Sequence, residues 1–324
     1  MEMIPSYSTI KDFVFESGDI LEELEVEYYT MGTPRTDDDG KIVNGILFLH
    51  GWSGDYGSFK RFIDFTSPGE VFDAREYFIV SPTALGSPYT AAPSTSRLGK
   101  DFPHYTVGDM VNVQYRLLNE ILEVRHLNCV FGTSMGGFQS LMWSVMYPNF
   151  MDSVINLVTG PAVIGRNQAI FQLNNNLIED HPDYMGGDYQ INPVDALKNA
   201  NQLMFLFAFS TPYYHSEFQE KETLLDALNE QGMEGMQMDA RDIVWRNNAA
   251  LSFDIRDNLV KIKVKSLIIG IEGDEYFPPE IEAIPLSKSL QNSVLLIYKS
   301  NLGHLGINEI EKMKDALLRF FKKY

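Results

Sequence analysis

One hexapeptide in this chain has residue types and spacing suited to covalent chemistry: Gly132-Thr133-Ser134-Met135-Gly136-Gly137. It fits G-x-S-x-G, a pattern that puts a serine on the tight turn between a strand and a helix. The chemistry this allows is nucleophilic attack on a carbonyl carbon. Such a turn strains the serine backbone and exposes its hydroxyl. The glycines two positions to either side let neighbouring backbone approach where a Cβ would clash. A helix starting at Met135 turns free N–H groups and its positive end toward the reacting centre. A glycine-rich strand–helix turn can also cradle phosphate. A dinucleotide loop, however, wants G-x-G-x-x-G after the first strand and an acidic residue about 20 positions on, and this turn has neither.

A serine hydroxyl needs a base to take its proton and an acid to orient that base. In folds built around such a turn the partners follow the serine in the order Asp or Glu, then His. Asp274, in Gly270-Ile271-Glu272-Gly273-Asp274, and His304, in Asn301-Leu302-Gly303-His304, each come just after an apolar run. Both therefore fall at the C-terminal ends of strands, the edge at which open α/β sheets bind ligands. Glu272 and Glu275 flank Asp274 and are the alternative acids. The other histidines read as surface or hydrogen-bonded structural groups: His50 ends an earlier strand, His104 and His126 precede the serine, and His181 and His215 lie in a helical stretch. An oxyanion formed at Ser134 needs two donors. The Met135 N–H supplies one, and the Trp52 N–H, in His50-Gly51-Trp52-Ser53-Gly54, supplies the other. Only the backbone of Trp52 is required, so its ring is free to pack in the core.

The elements that position these residues follow from hydrophobic periodicity. Ile46 to Leu49, Tyr77 to Val80, Asn128 to Thr133, Val154 to Val158, Ser266 to Ile271 and Val294 to Tyr298 are short apolar runs that read as buried strands. From Thr106 to Val124, the residues Met110, Val113, Leu117, Ile121 and Val124 share a helical face, with Thr106 and Asp109 as a capping box. Phe138, Leu141, Met142 and Val145 mark the helix after the serine, which stops before Pro148. A last helix carries Ile307, Ile310, Met313, Leu317 and Phe320, with Lys322 and Lys323 at its negative end. Continuous apolar strands alternating with amphipathic helices predict a mostly parallel sheet covered on both faces. Between residues 161 and 255 the strand rhythm is lost, and a helical lid insertion is expected, rich in Met and aromatic residues that suit apolar ligands. The core is then 1–160 with 256–324. Asp37-Asp38-Asp39-Gly40 reads as a hairpin turn between edge strands, since it lacks the ligand pattern of a calcium loop.

Composition narrows the class. The chain has 324 residues, 26 basic against 44 acidic, for a net charge of −18. Without a basic stripe, nucleic acid is not an expected partner. The 44% hydrophobic and 22% charged content is that of a folded globular protein. The single cysteine, Cys129, excludes an internal disulfide. The six histidines show no paired metal spacing, no apolar run reaches the length of a membrane helix, and no leader pattern opens the chain. No metal, no bound cofactor, no membrane association and a cytoplasmic location are expected.

These residues together resemble the α/β-hydrolase superfamily and, within it, the homoserine O-acetyltransferase family. The resemblance is carried by Gly69-Glu70-Val71-Phe72-Asp73 with Tyr77-Phe78 and Leu85-Gly86, by Asp101-Phe102-Pro103 with Thr106-Val107-Gly108-Asp109-Met110, and by Ser134-Met135-Gly136-Gly137-Phe138-Gln139. Asp274-Glu275-Tyr276-Phe277-Pro278-Pro279 and Gly303-His304 complete it, so it runs from about residue 40 to the end and is weakest in the insertion. It implies an α/β-hydrolase fold with a helical lid, a homodimer formed through that lid, and acetyl-CoA as co-substrate if the acceptor is an alcohol.

Two departures bear on the acceptor. The family's histidine is usually followed by an aspartate that helps hold the homoserine amine, and here Leu305 follows. The family's lid arginine for the amino acid's carboxylate is missing, since Leu203 to Tyr214 contains none; Arg166, Arg241 and Arg246 are arginines elsewhere in the insertion. An unpaired charge buried in an apolar pocket is costly. The expectation is therefore a serine-dependent carboxylic-ester hydrolase acting on a small-molecule ester or acyl donor. The alternatives are an O-acyltransferase using homoserine or another alcohol, and a non-catalytic binding protein of the same fold.

Overall fold

A computed structural model describes residues 3–321. Among these residues eight strands form one sheet: β1 (Ser6–Val14), β2 (Ile20–Gly32), β3 (Gly45–Leu49), β4 (Phe78–Pro82), β5 (Leu127–Thr133), β6 (Ser153–Leu157), β7 (Lys265–Glu272) and β8 (Ser293–Lys299). Their order is β1-β2-β4-β3-β5-β6-β7-β8, with β1–β2 and β2–β4 antiparallel and the remaining pairs parallel. The six runs expected from the sequence are β3 to β8, each within two residues at either end.

β3 to β7 are apolar because both of their faces are covered, whereas Val294 to Tyr298, read as a buried strand, forms the edge strand β8 and leaves Val294 and Leu295 exposed. Along β3, Leu47 and Leu49 join one core cluster while Ile46 and Phe48 join the other. Val130 and Phe131 of β5 divide the same way. One face is packed by α1 (Val107–Arg116) and α2 (Met135–Met146), and the other by a 3-10 segment, Tyr56–Thr66, that contributes Phe59, Phe62 and Phe65. Thr106 and Asp109 cap α1 reciprocally, and Asp109 Oδ1 also accepts from the Glu16 amide at 2.8 Å. The helix then widens into a single π-turn over Leu117–Ile121.

Five helices lie between β6 and β7: α3 (Gly165–Glu179), α4 (Val194–Leu206), α5 (Thr211–Glu217), α6 (Lys221–Gly235) and α7 (Ala240–Leu251). An antiparallel bridge, Ala162 to Asp254, joins the strands of chain that enter and leave this segment. The Val163 amide donates to Phe253 O at 3.0 Å and the Ile255 amide to Pro161 O at 2.9 Å. After β7 come α8 (Ala283–Ser289) and, following β8, α9 (Lys314–Phe321).

Three readings of the sequence need revision. The N-terminal hairpin β1–β2 was not expected; it buries Ile10, Phe13, Leu24 and Val26 against α1. Asp37 to Gly40 does form a turn, but it closes an isolated Thr36–Ile42 bridge on the way to the interior strand β3, not a hairpin of edge strands. The expected final helix is broken: Gly303–Asn308 and Ile310–Met313 are 3-10 turns, and only Lys314–Phe321 is α-helical. The cause is competition for backbone groups. The Leu305 amide donates to Ala208 O, and the Tyr298 hydroxyl donates to Gly306 O at 2.9 Å, which draws both away from a regular ladder. Ile307, Met313, Leu317 and Phe320 are buried all the same, whereas Lys322 and Lys323 lie outside the described residues. Among the described residues no helix is long and apolar enough to cross a membrane.

Candidate active site

β3 and β5 are neighbours in the sheet, while β4 lies on the far side of β3 and β6 on the far side of β5. The chain direction across the sheet therefore reverses between β3 and β5, and a crevice opens there beyond their C-terminal ends. His50 follows β3 and Ser134 follows β5. A cavity of about 490 Å³ occupies that crevice, and Ser134, His304, Trp52 and Met135 all line it.

Ser134 sits at φ 56°, ψ −119°, a left-handed conformation that a side-chain-bearing residue holds only under constraint. The constraint is close packing of backbone. A Cβ on Gly132 would lie 2.1 Å from Gly136 O, and one on Gly136 would lie 2.1 Å from Leu49 O. Glycine at these two positions lets α2 start directly against β3 and β5. The Ser134 hydroxyl faces His304 Nε2 at 3.0 Å, and His304 Nδ1 faces Asp274 Oδ2 at 2.8 Å. Asp274 Oδ1 accepts from the Tyr276 and Phe277 amides at 2.8 and 2.9 Å. Both oxygens of the buried carboxylate are therefore satisfied, and its orientation toward the imidazole is fixed. The Tyr276 ring meets the imidazole edge-on, with centroids 5.0 Å apart, and its hydroxyl donates to Met204 O at the end of α4.

The alternative acids point elsewhere. Glu275 pairs with Arg166 at 2.7 Å, and Glu272 is exposed at the end of β7. The other histidines have structural partners or lie outside the cavity. His50 Nδ1 bonds Gly51 O at 2.7 Å and its Nε2 accepts from the Ala84 amide at 2.9 Å, while burial holds its pKa down at about 4. It is thus a neutral brace for the loop that follows. His104 stacks on Trp245, His126 bonds Asp152, His181 caps the Asp183 amide, and His215 is exposed on α5.

The amides of Met135 and Trp52 donate to no acceptor among the described residues. Gly51 packs on Ser134, since a Cβ there would lie 3.4 Å from Ser134 Cβ. The loop carrying the Trp52 amide is fixed by α7, which the sequence did not foretell. Arg246 Nη1 donates to Trp52 O at 2.8 Å and Nη2 to Gly86 O at 2.9 Å, and the indole N–H donates to Asn247 Oδ1 at 2.7 Å. Asn247 in turn donates to Asn174 Oδ1 and Asn175 Oδ1, each at 2.8 Å. Two further groups were missed. Glu282, 8% exposed, has its pKa raised to about 7 by burial and then by Asp274. Arg61 is the one cation among the residues that line the cavity. The insertion's own arginines are engaged elsewhere: Arg166 on Glu275, Arg241 on Asp239 and the Tyr189 ring, and Arg246 on the two carbonyls. Leu305 lines the cavity beside His304.

Residues 44–307 match the alpha/beta hydrolase fold family, and the chain belongs to it. It is an enzyme of that fold and resembles homoserine O-acetyltransferases and acyltransferases. A relative from Methanothermobacter thermautotrophicus, named a probable acyltransferase, is 43% identical over 99% of this chain and 98% of its own length. The homoserine O-acetyltransferase of Nostoc punctiforme is 28% identical over 97% of this chain and 96% of its own. Among solved structures, an acetylester hydrolase from Corynebacterium glutamicum superposes with TM-score 0.86 at 23% identity, covering 99% of this chain and 96% of that one. The homoserine O-acetyltransferase of Bacillus anthracis does so with TM-score 0.87 at 21% identity, covering 100% and 99%. At those identities the structural likeness is one of fold.

Proposed function

We propose that the protein transfers an acyl group through an acyl-serine at Ser134, with water as the acceptor, and so hydrolyses carboxylic esters. The observation that carries this is the chain of hydrogen bonds from Ser134 Oγ through His304 to Asp274 at a cavity wall. Ser134 Oγ attacks the carbonyl carbon as its proton passes to His304 Nε2. The Met135 and Trp52 amides hold the oxyanion. Collapse expels the leaving group, which takes the proton from His304. Water then attacks the acyl-serine, gives a proton to His304, and the released acid leaves Ser134 restored. Asp274 keeps the Nδ1–H tautomer throughout. The segment between β6 and β7 acts as a lid, with Phe171, Met204 and Phe205 from its helices and Phe209 and Met238 from its connections lining the cavity.

A second reading has an alcohol as the acceptor and a thioester as the donor. It is favoured by the name of the Methanothermobacter relative. Leu305 beside His304, with no carboxylate there to hold an amine, favours water over homoserine as the acceptor. Product analysis decides. Purified protein is incubated with acetyl-CoA or a 4-nitrophenyl ester, with and without candidate alcohols, homoserine among them. Free acid formed at the same rate whatever alcohol is present supports hydrolysis. Alcohol-dependent release with formation of the acylated alcohol replaces it with the transferase reading. Ser134→Ala should abolish both products, and failure of folded wild-type protein to label with a fluorophosphonate would remove the acyl-serine itself.

A further inference from the structure

The lining of the cavity is largely aromatic and aliphatic, yet it contains a cation without a counter-ion. Arg61 comes from the 3-10 segment Tyr56–Thr66, on the core side of the cavity, and is half-buried. Its Nε donates to Ser58 O at 3.1 Å, which anchors the guanidinium to its own segment, and Phe59 and Phe62 line the same cavity. Neither Nη has an acceptor and no carboxylate lies within 4 Å of it among the described residues. Burial lowers its pKa, but an arginine stays charged in proteins. The chain carries 44 acidic residues against 26 basic ones, so a cation left unpaired is unusual in its setting. Glu234, the other charged residue lining the cavity, is exposed and forms no pair with it. A planar fork of free donors beside apolar walls suits a carboxylate, which it can bind bidentately.

We propose that Arg61 makes this cavity selective for substrates that carry a carboxylate in addition to the acyl group being transferred. The inference rests on the acyl-serine reading for its link to turnover, but not for binding. The first experiment therefore needs no catalysis. Glutarate and neutral 1,5-pentanediol are titrated against wild-type protein, Arg61→Gln and Arg61→Lys, following tryptophan fluorescence. Saturable binding of glutarate alone, weakened at least tenfold in Arg61→Gln and partly restored in Arg61→Lys, is the expected result. No glutarate binding to wild type, or equal affinity for wild type and Arg61→Gln, overturns the proposal. Because wild type alone can fail the test, a misfolded variant does not shield it.

The second experiment locates the carboxylate. 4-Nitrophenyl hemisuccinate against 4-nitrophenyl butyrate tests the acyl side; acetylated 4-hydroxybutyrate against its methyl ester tests the alcohol side. In one pair the anionic member should have the higher kcat/KM in wild type, and Arg61→Gln should remove that preference while sparing the neutral ester. Loss of both members to the same extent would make Arg61 a structural residue and end the proposal. Wild type that binds glutarate yet turns over no ester of either kind would count against the acyl-serine, not against Arg61.

Discussion

At the scale of single residues, the site depends on contacts that admit almost no substitution. Ser134 holds a left-handed backbone that costs about 1–3 kcal/mol and persists because its neighbours leave no alternative. Gly136 is the clearest of them. An added methyl would lie 2.1 Å from Leu49 O and 2.7 Å from His50 O, both main-chain atoms that cannot rotate aside. Gly136→Ala should therefore lose about 3 kcal/mol or more of stability, read from urea denaturation, together with fluorophosphonate labelling. Wild-type stability in that variant would mean that the close approach is not real. Asp274 offers a contrast, because Asp274→Asn keeps the shape and loses the charge. It should retain the melting transition and lower kcat by about 10³–10⁴-fold, as expected when the imidazole is held in the wrong tautomer. The hydrogen-bonded grouping of Ser134, Asp274 and His304 was legible in the sequence because the covalent chemistry proposed for a serine calls for those types, in that order, after strands. Arg61 was not: periodicity does not say which side chain of an irregular 3-10 segment reaches a cavity assembled from distant parts of the chain.

At the scale of elements, the consequential pairing is α7 against the loop after β3. Arg246, 5% exposed, donates to Trp52 O and Gly86 O, and Asn247 receives the indole N–H. These bonds tie the loop that carries the Trp52 amide to α7, so under the proposed mechanism α7 positions the oxyanion donor. Arg246→Met keeps much of the buried volume and removes both bonds. It should lower kcat by about 10–100-fold with KM changed far less, because the donor matters most when negative charge develops. A change confined to KM would show that the loop keeps its place unaided. The sequence carried the strands well, since buried parallel strands are continuous apolar runs with little else to be. It carried β1 and β2 poorly: they cover one face only, and Lys11, Asp12, Glu23 and Glu25 break up the pattern on the other. The final helix failed for a different reason. Its apolar spacing was correct, but Ala208 and Tyr298 take backbone groups that a continuous helix would need, and tertiary partners of that kind leave no local trace.

At the scale of the whole molecule, buried titratable groups set how stability varies with pH. His50, with a pKa lowered to about 4 chiefly by burial, is neutral in the fold and binds protons more readily when unfolded. Its contribution is complete above pH 6.5 and is lost as pH falls toward 4. Glu282 runs the other way, since burial and Asp274 raise it from 4.5 to about 7. Asp242 does as well, raised from 3.8 to about 6 by burial despite the bonds from Ser94. For both carboxyls the folded protein holds the proton more tightly. Their contribution is complete below their unfolded pKa values and declines as pH rises through about 6 to 7. The net charge of −18 adds self-repulsion on the same alkaline side. With two carboxyls against one imidazole, stability should fall between about pH 5 and 7 and be lower at pH 8 than at pH 5. Glu282→Gln tests this directly, because it fixes the side chain in its neutral form and shape. The variant should differ least from wild type near pH 4, below the unfolded pKa of 4.5, and exceed it by about 1–2 kcal/mol more at pH 8, in urea melts at constant ionic strength. An equal displacement at both pH values would assign the effect to packing against Gly160 and remove Glu282 from the pH response. Added salt distinguishes the remaining contribution. It should recover stability at pH 8 in wild type and variant alike, since screening acts on the dispersed surface charge and little on a carboxyl sealed beside Asp274.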